Sequence, residues 1–409
     1  MLKDDCLYIV KEAIARVLPD EAVKRALGGR EFPDGRLILV SVGKAAWSMA
    51  SAAHSVLGTR IDRGIVITKH GYSKGAIGDL SVREAGHPVP DADTFSATRE
   101  ALELTRGLAP EDTVLFLLSG GGSALFEAPV IPEDELRDIT GQLLACGADI
   151  VEMNTVRKRL SGVKGGRFAR HCAPARVFTV VLSDIIGDPL DMIASGPAYP
   201  DASTCADAVR IAEKYALHLS DAAWTALKTE TPKTLSNTET HITGSVRELC
   251  AAAAGACREL GYEPQVLTDC LDCEAREAGR FLASIARSHQ NAGRSIAFIA
   301  GGETVVHITG RGRGGRNQEL ALAAADGIAG LEDTAVFSVG SDGTDGPTDA
   351  AGGYADGGSL AALRALGFDT YDVLRRNDSY TALKAVDSLI FTGATGTNVN
   401  DVAVILIKR

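Results

Sequence analysis

The segment Thr113–Leu125, TVLFLLSGGGSAL, decides the fold class of this chain. Its apolar residues are nearly continuous, which is typical of a strand in a parallel sheet covered on both faces. Three glycines between two serines follow at once, although a tight turn needs only one or two glycines. We therefore expect a buried strand whose end is kept free of side chains so that a ligand can approach the backbone.

Strands of the same kind occur on both sides of this segment. They are predicted at 36–43 (RLILVSVG), 64–68 (GIVIT) and 176–184 (RVFTVVLSD). Helical patterns separate the strands, at 44–58, at 93–108 with Asp93 as N-cap, at 132–147 and at 148–161. This alternation predicts an α/β fold with a doubly wound, Rossmann-like sheet, which binds ligands at the carboxyl ends of its strands.

The length of 409 residues predicts two domains, because single hydrophobic cores stop growing at roughly 250–300 residues. A polar, threonine-rich stretch at 228–245 is the best linker candidate, and strand–helix alternation resumes beyond it. We therefore predict a Rossmann-like N-terminal domain over residues 1–236 and a smaller α/β C-terminal domain over residues 237–397.

Composition excludes several classes of protein. The net charge of −11 and the pI of 5.3 argue against a nucleic-acid surface, which needs a basic footprint. The first residues do not resemble a signal peptide, and no apolar run reaches the length of about 20 residues that a membrane helix needs. Eight cysteines in a chain of this length are typical of reduced thiols. These features predict a cytoplasmic protein without nucleic-acid or membrane partners.

Two loops at predicted strand ends have the character of anion sites. Lys44 follows a strand and a glycine at the start of a helix, where free amides favour an anion but a lysine gains nothing from the helix dipole. Gly120, Gly121 and Gly122, with Ser119 and Ser123 beside them, could form a nest of amide donors. A solvated lysine and a flexible turn are the alternatives. Neither loop matches the Walker A or G-x-S-x-G pattern.

Further charged loops follow these two. The segment 154–167 contains a cluster of basic residues, Arg157, Lys158, Arg159, Lys164 and Arg167. This cluster predicts either a site for a polyanion or a solvated helix end. Two further loops contain carboxylates: 182–201 with Asp184, Asp188 and Asp191, and 340–356 with Asp342, Asp345 and Asp349. These carboxylates either bind Mg²⁺ or a substrate hydroxyl, or only shape the turns.

The segment 301–322 contains the dinucleotide spacing G-x-G-x-x-G at 310–315. Arg311, Arg313 and Arg316 fill this loop, and three guanidinium groups suit the grip of a carboxylate or phosphate better than a bare NAD turn. The pair Cys270 and Cys273 is a weaker candidate, for a redox role. Glycine-rich loops, a helix-start lysine, arginines and loop aspartates together are what phosphoryl transfer requires. Because both halves contribute, we expect the active site in a cleft between the domains.

Eight motifs in order resemble the class II glycerate 2-kinases, the MOFRL-containing glycerate kinase family: SVGKAAW, LSGGGSAL, NTVRKRLSGVKGGR, LSDIIGDPLDMIASGP, GGETVV, GRGGRNQE, SDGTDGPTDAAG and TGATGTNVND. The resemblance runs from about residue 5 to the end. It implies a kinase that uses ATP and Mg²⁺ to phosphorylate the C2 hydroxyl of D-glycerate, giving 2-phosphoglycerate. It also implies that the final strand, about 398–409, returns to the N-terminal domain.

The resemblance places the family's essential lysine and arginine at Lys44 and Arg316. The expected site residues follow by role. The catalytic residues are Lys44, Arg316 and Asp188. The phosphate-binding residues are Ser119, Gly120, Gly121, Gly122, Ser123, Ser183 and Gly187. The substrate-binding residues are Lys44, Arg316, Asn317 and Glu303, and the metal ligands are Asp184, Asp188, Asp342 and Asp345.

Two rival functions remain open at this point. One is an NAD(P)-dependent hydroxypyruvate or tartronate semialdehyde reductase, and the other is a non-catalytic protein that binds a sugar acid or nucleotide. The sequence does not decide the oligomeric state, for which a homodimer is one expectation.

Overall fold

The computed structural model describes residues 2–409, which divide into two compact units. The central unit comprises Ala22–Leu182 and Asp188–Thr243. The terminal unit contains both ends of the chain, with residues up to Glu21, Ser183–Gly187 and Gly244–Arg409. Within the described residues, no helix combines the length and the apolar character needed to cross a membrane.

The central unit is built on a six-stranded sheet with the order β3-β2-β1-β4-β5-β6. Its strands are β1 (Leu37–Val42), β2 (Arg63–Lys69), β3 (Ser81–Ala85), β4 (Thr113–Leu118), β5 (Arg176–Leu182) and β6 (Thr238–Gly244). The pairs from β3 to β5 are parallel. Strands β1 and β4 are buried throughout, which agrees with their continuous apolar sequence. The predicted doubly wound sheet is confirmed.

Ten α-helices lie in the described chain before Thr243, and most of them belong to the central unit. They are α1 (Leu2–Arg16), α2 (Pro19–Leu27), α3 (Ala46–Leu57), α4 (Ala92–Leu104), α5 (Gly122–Leu125), α6 (Glu133–Ala145), α7 (Ile150–Arg159), α8 (Arg167–Cys172), α9 (Cys205–Lys214) and α10 (Asp221–Leu227). Asp91, and not the predicted Asp93, caps α4 in a capping box with Thr94. The N-cap lies two residues earlier than predicted, and Asp93 lies in the first turn of the helix.

The terminal unit contains a mixed six-stranded sheet with the order β11-β10-β9-β12-β8-β7. Its strands are β7 (Glu263–Leu271), β8 (Ile296–Gly302), β9 (Thr334–Gly340), β10 (Gly352–Asp356), β11 (Leu389–Ile390) and β12 (Asp401–Ile407). Only β7 and β8 pair in parallel. Its helices from Gly244 onward are α11 (Val246–Glu259), α12 (Ala275–Ser288), α13 (Arg316–Gly327), α14 (Ser359–Ala365), α15 (Thr370–Arg375) and α16 (Ser379–Ala385).

The division of the chain differs from the predicted boundaries at three places. Strand β12 pairs with β8 and β9 along its whole length and therefore does not return to the sheet of the central unit. Helix α1 buries its apolar face in the core that α11 and β12 share, so it belongs to the terminal unit. Strand β6 takes up residues 238–244 of the predicted linker, and its threonines suit a half-buried edge strand.

Candidate active site

The strand order of the central unit reverses between β1 and β4, and this is where open α/β sheets bind ligands. The strands end side by side, with Val42 opposite Leu118. The Lys44 amide donates to the carbonyl of Gly120 at 2.9 Å, and the Ala45 amide donates to Oγ of Ser119 at 3.1 Å. The two loops that were predicted as anion sites are therefore tied together.

The glycine loop contains backbone donors without acceptors among the described residues. The amides of Gly120, Gly121, Gly122 and Ser123 have no hydrogen-bond acceptor within the described chain. Gly121 has a left-handed backbone, with φ of 86°. Four consecutive amides without partners form the kind of concave donor set that binds phosphate oxygens.

The side chain of Lys44 lies beside this loop. It is half-buried, and its ammonium makes no hydrogen bond or ion pair with any residue from 2 to 409. A methyl group at Gly121 would lie 3.3 Å from Cγ of Lys44 and 3.0 Å from Nε2 of His87. A lysine without a carboxylate partner, next to four open amides, leaves the site electropositive and suited to an anion.

Replacing Gly121 by alanine is expected to lower kcat/KM of the expected kinase reaction about tenfold or more, because the methyl group would collide with Lys44 and His87. The variant should also be less stable, since a left-handed backbone costs about 1 kcal/mol for an L residue. Steady-state kinetics would measure the first effect and thermal unfolding the second. Gly141→Ala is the matched control, since Gly141 is an exposed residue of α6 with open space around it. Equal kinetics in the two variants would contradict the role of the glycine loop.

The basic segment 154–167 was predicted to be either a polyanion site or a solvated helix end. The structure shows neither for its buried cations. Lys158, Arg159 and Lys164 are at most 2% exposed. Lys158 pairs with Asp201 at 3.1 Å, and Lys164 pairs with Glu127. Their charges are thus used inside the central unit, which is how buried cations are tolerated.

Arg157 is the exception in this segment. Its Nη2 donates to the carbonyl of Ser123 at 3.1 Å, whereas its Nε is buried and has no partner among the described atoms. Ser123 is also held by its hydroxyl, which lies 3.0 Å from Oγ of Ser195. Ser195 in turn donates to Oδ1 of Asn154 at 2.8 Å. This network fixes the far end of the glycine loop.

The loop after β5 holds four of the predicted residues. Asp188 has φ of 51°, and its Oδ1 is buried without a hydrogen-bond partner among the described residues. An orphaned carboxylate oxygen fits a divalent cation or a hydroxyl donor. The hydroxyl of Ser183 bonds within its own loop, to the backbone of Ile185, and is buried. Gly187 is exposed and Asp184 is half-buried.

Arg316 is the first residue of α13 in the terminal unit and lies among carboxylates. Its Nε and Nη2 donate to the two oxygens of Asp401 at 2.5 and 3.1 Å, and its Nη1 donates to Glu303 at 2.7 Å. Burial lowers the pKa of Arg316, but its hydrogen bonds to the Asp401 carboxylate raise this pKa above its ordinary value. Burial also raises the pKa of Asp401. The side chain of Arg316 is 32% exposed, so a substrate can reach it.

Asp345 and Asn317 have internal roles that their sequence positions did not reveal. Asp345 accepts from the Asn317 amide at 3.1 Å and from the Gln318 amide at 2.8 Å, and so caps α13. Burial raises the pKa of Asp345 to about 6. Asn317 is 1% exposed, and its side chain bonds to Ser338 and Asp345. These contacts lie at the start of α13, where Arg316 is the first residue. Asp345 was predicted as a metal ligand and Asn317 as a substrate ligand.

The G-x-G-x-x-G spacing at 310–315 is explained by packing within the terminal unit. Side chains at Gly310, Gly312 and Gly314 would collide with the segment 376–379, and one at Gly315 would collide with Asp345. The amide of Gly312 donates to the carbonyl of Arg376 at 2.9 Å. The glycines therefore let two segments of the protein approach each other, which removes the main support for an NAD site.

The remaining candidates are Asp342 and the pair Cys270 and Cys273. Asp342 is half-buried and accepts from the Thr344 amide at 3.0 Å. Cys270 and Cys273 form no disulfide in the described chain. Asp401 and His87 contact site residues but were not selected from the sequence. Asp401 is the last residue of the motif TGATGTNVND, and its place in this motif was the only signal for it in the sequence.

Comparison with known proteins adds independent findings. A family model described as a domain of unknown function, DUF4147, matches residues 5–228, and the MOFRL family model matches residues 296–401. A D-glycerate 2-kinase from Thermotoga maritima is 53% identical, over 99% of this chain and 98% of its own length. A glycerate 2-kinase from Pyrococcus horikoshii is 39% identical, over 98% of this chain and 96% of its own length.

A solved structure agrees with these matches, and one relative has a different name. The crystal structure of a glycerate kinase from Thermotoga maritima superimposes with a TM-score of 0.96 at 53% identity, covering 99% of each chain. A relative from Agrobacterium vitis that carries the name of a hydroxypyruvate reductase is 40% identical, over 98% of this chain and 93% of its own length.

Proposed function

We infer the function from family membership, since this chain belongs to the glycerate kinase family that carries a MOFRL domain. It is a kinase, with ATP as co-substrate. We propose that it transfers the γ-phosphoryl group of ATP to the C2 hydroxyl of D-glycerate, giving 2-phosphoglycerate and ADP. The observation that carries this proposal is the set of open amides at 120–123 beside the unpaired Lys44.

The central unit is proposed to bind the phosphates of ATP. The amides of Gly120, Gly121, Gly122 and Ser123 would donate to phosphate oxygens without a conformational change, because they have no other acceptor among the described residues. Lys44 would neutralise charge on the transferring group. Ser119 keeps a supporting role, because its hydroxyl already accepts from the Ala45 amide.

Magnesium is proposed as the metal, with Asp188 as a ligand. Its buried oxygen without a partner supports this assignment, and carboxylate oxygens are what Mg²⁺ prefers. Bound Mg²⁺ would offset the negative charge of the phosphate oxygens. Asp184 and Asp342 stay predicted ligands, whereas Asp345 is proposed to serve α13 instead.

Arg316 is proposed to grip the carboxylate of glycerate or the transferring phosphoryl group. A guanidinium offers a planar fork that matches both groups. Its contacts with Asp401 and Glu303 support the proposal, because they fix the orientation of the fork before substrate arrives. Glu303 would then lie within reach of a substrate hydroxyl.

The test combines the protein with ATP, Mg²⁺ and D-glycerate, and couples the product to enolase without a mutase. Enolase signal with ADP release is the expected result and identifies 2-phosphoglycerate. ADP without enolase signal would assign phosphorylation to C3, and absence of ADP would refute the kinase. Titration with NADH, followed by fluorescence, addresses the reductase, for which we expect no binding.

The cytoplasmic location and the homodimer remain proposals from the sequence. Light scattering of the purified protein would determine its mass in solution against the 42.7 kDa of one chain.

A further inference from the structure

His87 lies over the glycine loop of the central unit. It follows β3 by two residues, at the carboxyl edge where the ends of β1 and β4 also lie. A methyl group at Gly121 would lie 2.9 Å from Cδ2 and 3.0 Å from Nε2 of its ring. The loop that carries His87 is held in place, because the Gly86 amide donates to Oγ1 of Thr94 at 3.2 Å.

The imidazole of His87 has no hydrogen-bond partner within residues 2–409, and it is half-buried. The charged groups that face it are Lys44, from the loop after β1, and Lys69, at the end of β2. Burial and these two ammonium groups lower the pKa of His87 below its ordinary value. The ring is therefore neutral at pH 7 and keeps an acceptor nitrogen.

We propose that His87 is the general base of the reaction and takes the proton from the C2 hydroxyl of glycerate. This inference rests on the proposed function. As the oxygen–hydrogen bond breaks, the hydroxyl oxygen bonds to the γ-phosphorus and the bond from that phosphorus to the β,γ-bridging oxygen breaks. The proton is then on His87, ADP leaves with the electron pair, and the proton passes to water after release.

The assignment gives the proton transfer to His87, whereas Asp188 was expected both as a catalytic residue and as a metal ligand. The orphaned oxygen of Asp188 suits a cation, and a carboxylate bound to a cation is a poor proton acceptor. His87 instead has cations as its charged neighbours, which keep it unprotonated until reaction. Negative charge on the phosphates would then offset the imidazolium that forms next to Lys44.

The first test replaces His87 by glutamine. We expect kcat to fall about 10²–10⁴-fold, the range for loss of a general base, with KM for ATP and glycerate nearly unchanged. The fall of wild-type kcat toward acidic pH, which reports protonation of the base, should disappear in this variant. His54→Gln is the matched control, since His54 is another half-buried histidine of the central unit. Unchanged kcat in His87→Gln, or a persistent acidic fall, would overturn the inference.

A second variant keeps the inference testable if His87→Gln does not fold. Lys69→Met removes one cation that faces His87, so the pKa of His87 should rise and the acidic fall in kcat should move to higher pH. At pH 8, where the imidazole is neutral in both proteins, kcat should be the same. An acidic limb that stays in place would refute the inference. Lack of ADP formation by the wild-type protein would instead refute the proposed function, and this inference with it.

Discussion

Replacing Lys44 by methionine is expected to lower kcat about 10²–10³-fold, the usual loss when one group that stabilises transition-state charge is removed. Methionine preserves the length and the apolar stem of lysine but removes the ammonium. Because this ammonium makes no ion pair within the described residues, its loss leaves no unpaired carboxylate behind. We therefore expect an unchanged unfolding temperature, measured by circular dichroism, and a large defect in the ADP-release assay.

Lys74→Met is the control for charge in the same unit. Lys74 is exposed, and its Nζ lies 5.7 Å from the centre of the ring of Trp47, a residue of α3. Its removal changes net charge by the same amount, and we expect wild-type kinetics. If Lys44→Met retained kcat within threefold of wild type, Lys44 would not be part of the catalytic machinery.

Replacing Arg316 by alanine is expected to lower kcat/KM about 10³-fold or more, as for other arginines that bind a transferring phosphoryl group. This variant should also lose about 3 kcal/mol of stability, because Asp401 is buried and loses its charged partner. Kinetics and urea unfolding measure the two effects. Arg316→Lys keeps the charge but loses the fork, so it should recover stability in part and activity very little.

The double variant Arg316→Ala with Asp401→Asn separates the two effects. Removing the unpaired carboxylate should restore much of the stability while activity stays low. Recovery of activity together with stability would mean that Arg316 acts only by holding the fold. Near-normal turnover in Arg316→Ala alone would contradict its proposed contact with substrate.

The central unit could be predicted from the sequence because its local signals agree with one another. Continuous apolar runs at β1, β4 and β5 predict buried parallel strands, and the glycine loop follows one of them. The terminal unit was predicted less well. Strand β12 is as apolar as the others, and apolar character alone does not show which sheet a strand joins.

The sequence indicated parts of the candidate site where a residue is unusual for its local position, as Lys44 and Gly121 are. It could not be predicted where a role depends on contacts between distant segments. Asp345 caps a helix that begins 29 residues earlier in the chain, and Lys164 is buried against Glu127 although it lies in a basic stretch. Sequence patterns indicate charge, but the pairing partner is determined by the fold.

The position of β12 bears on how the protein is made. This strand lies between β8 and β9 and pairs with both over seven residues. Until Ile407 has left the ribosome, the strands β11, β10 and β9 are therefore not hydrogen-bonded to β8 and β7 through β12. Helix α1, made first, must wait for the same core. The central unit, by contrast, has all its strands once Gly244 is synthesised. Since domains tend to fold as they emerge, we expect the central unit to be structured early and the terminal unit to close last, around its own final segment.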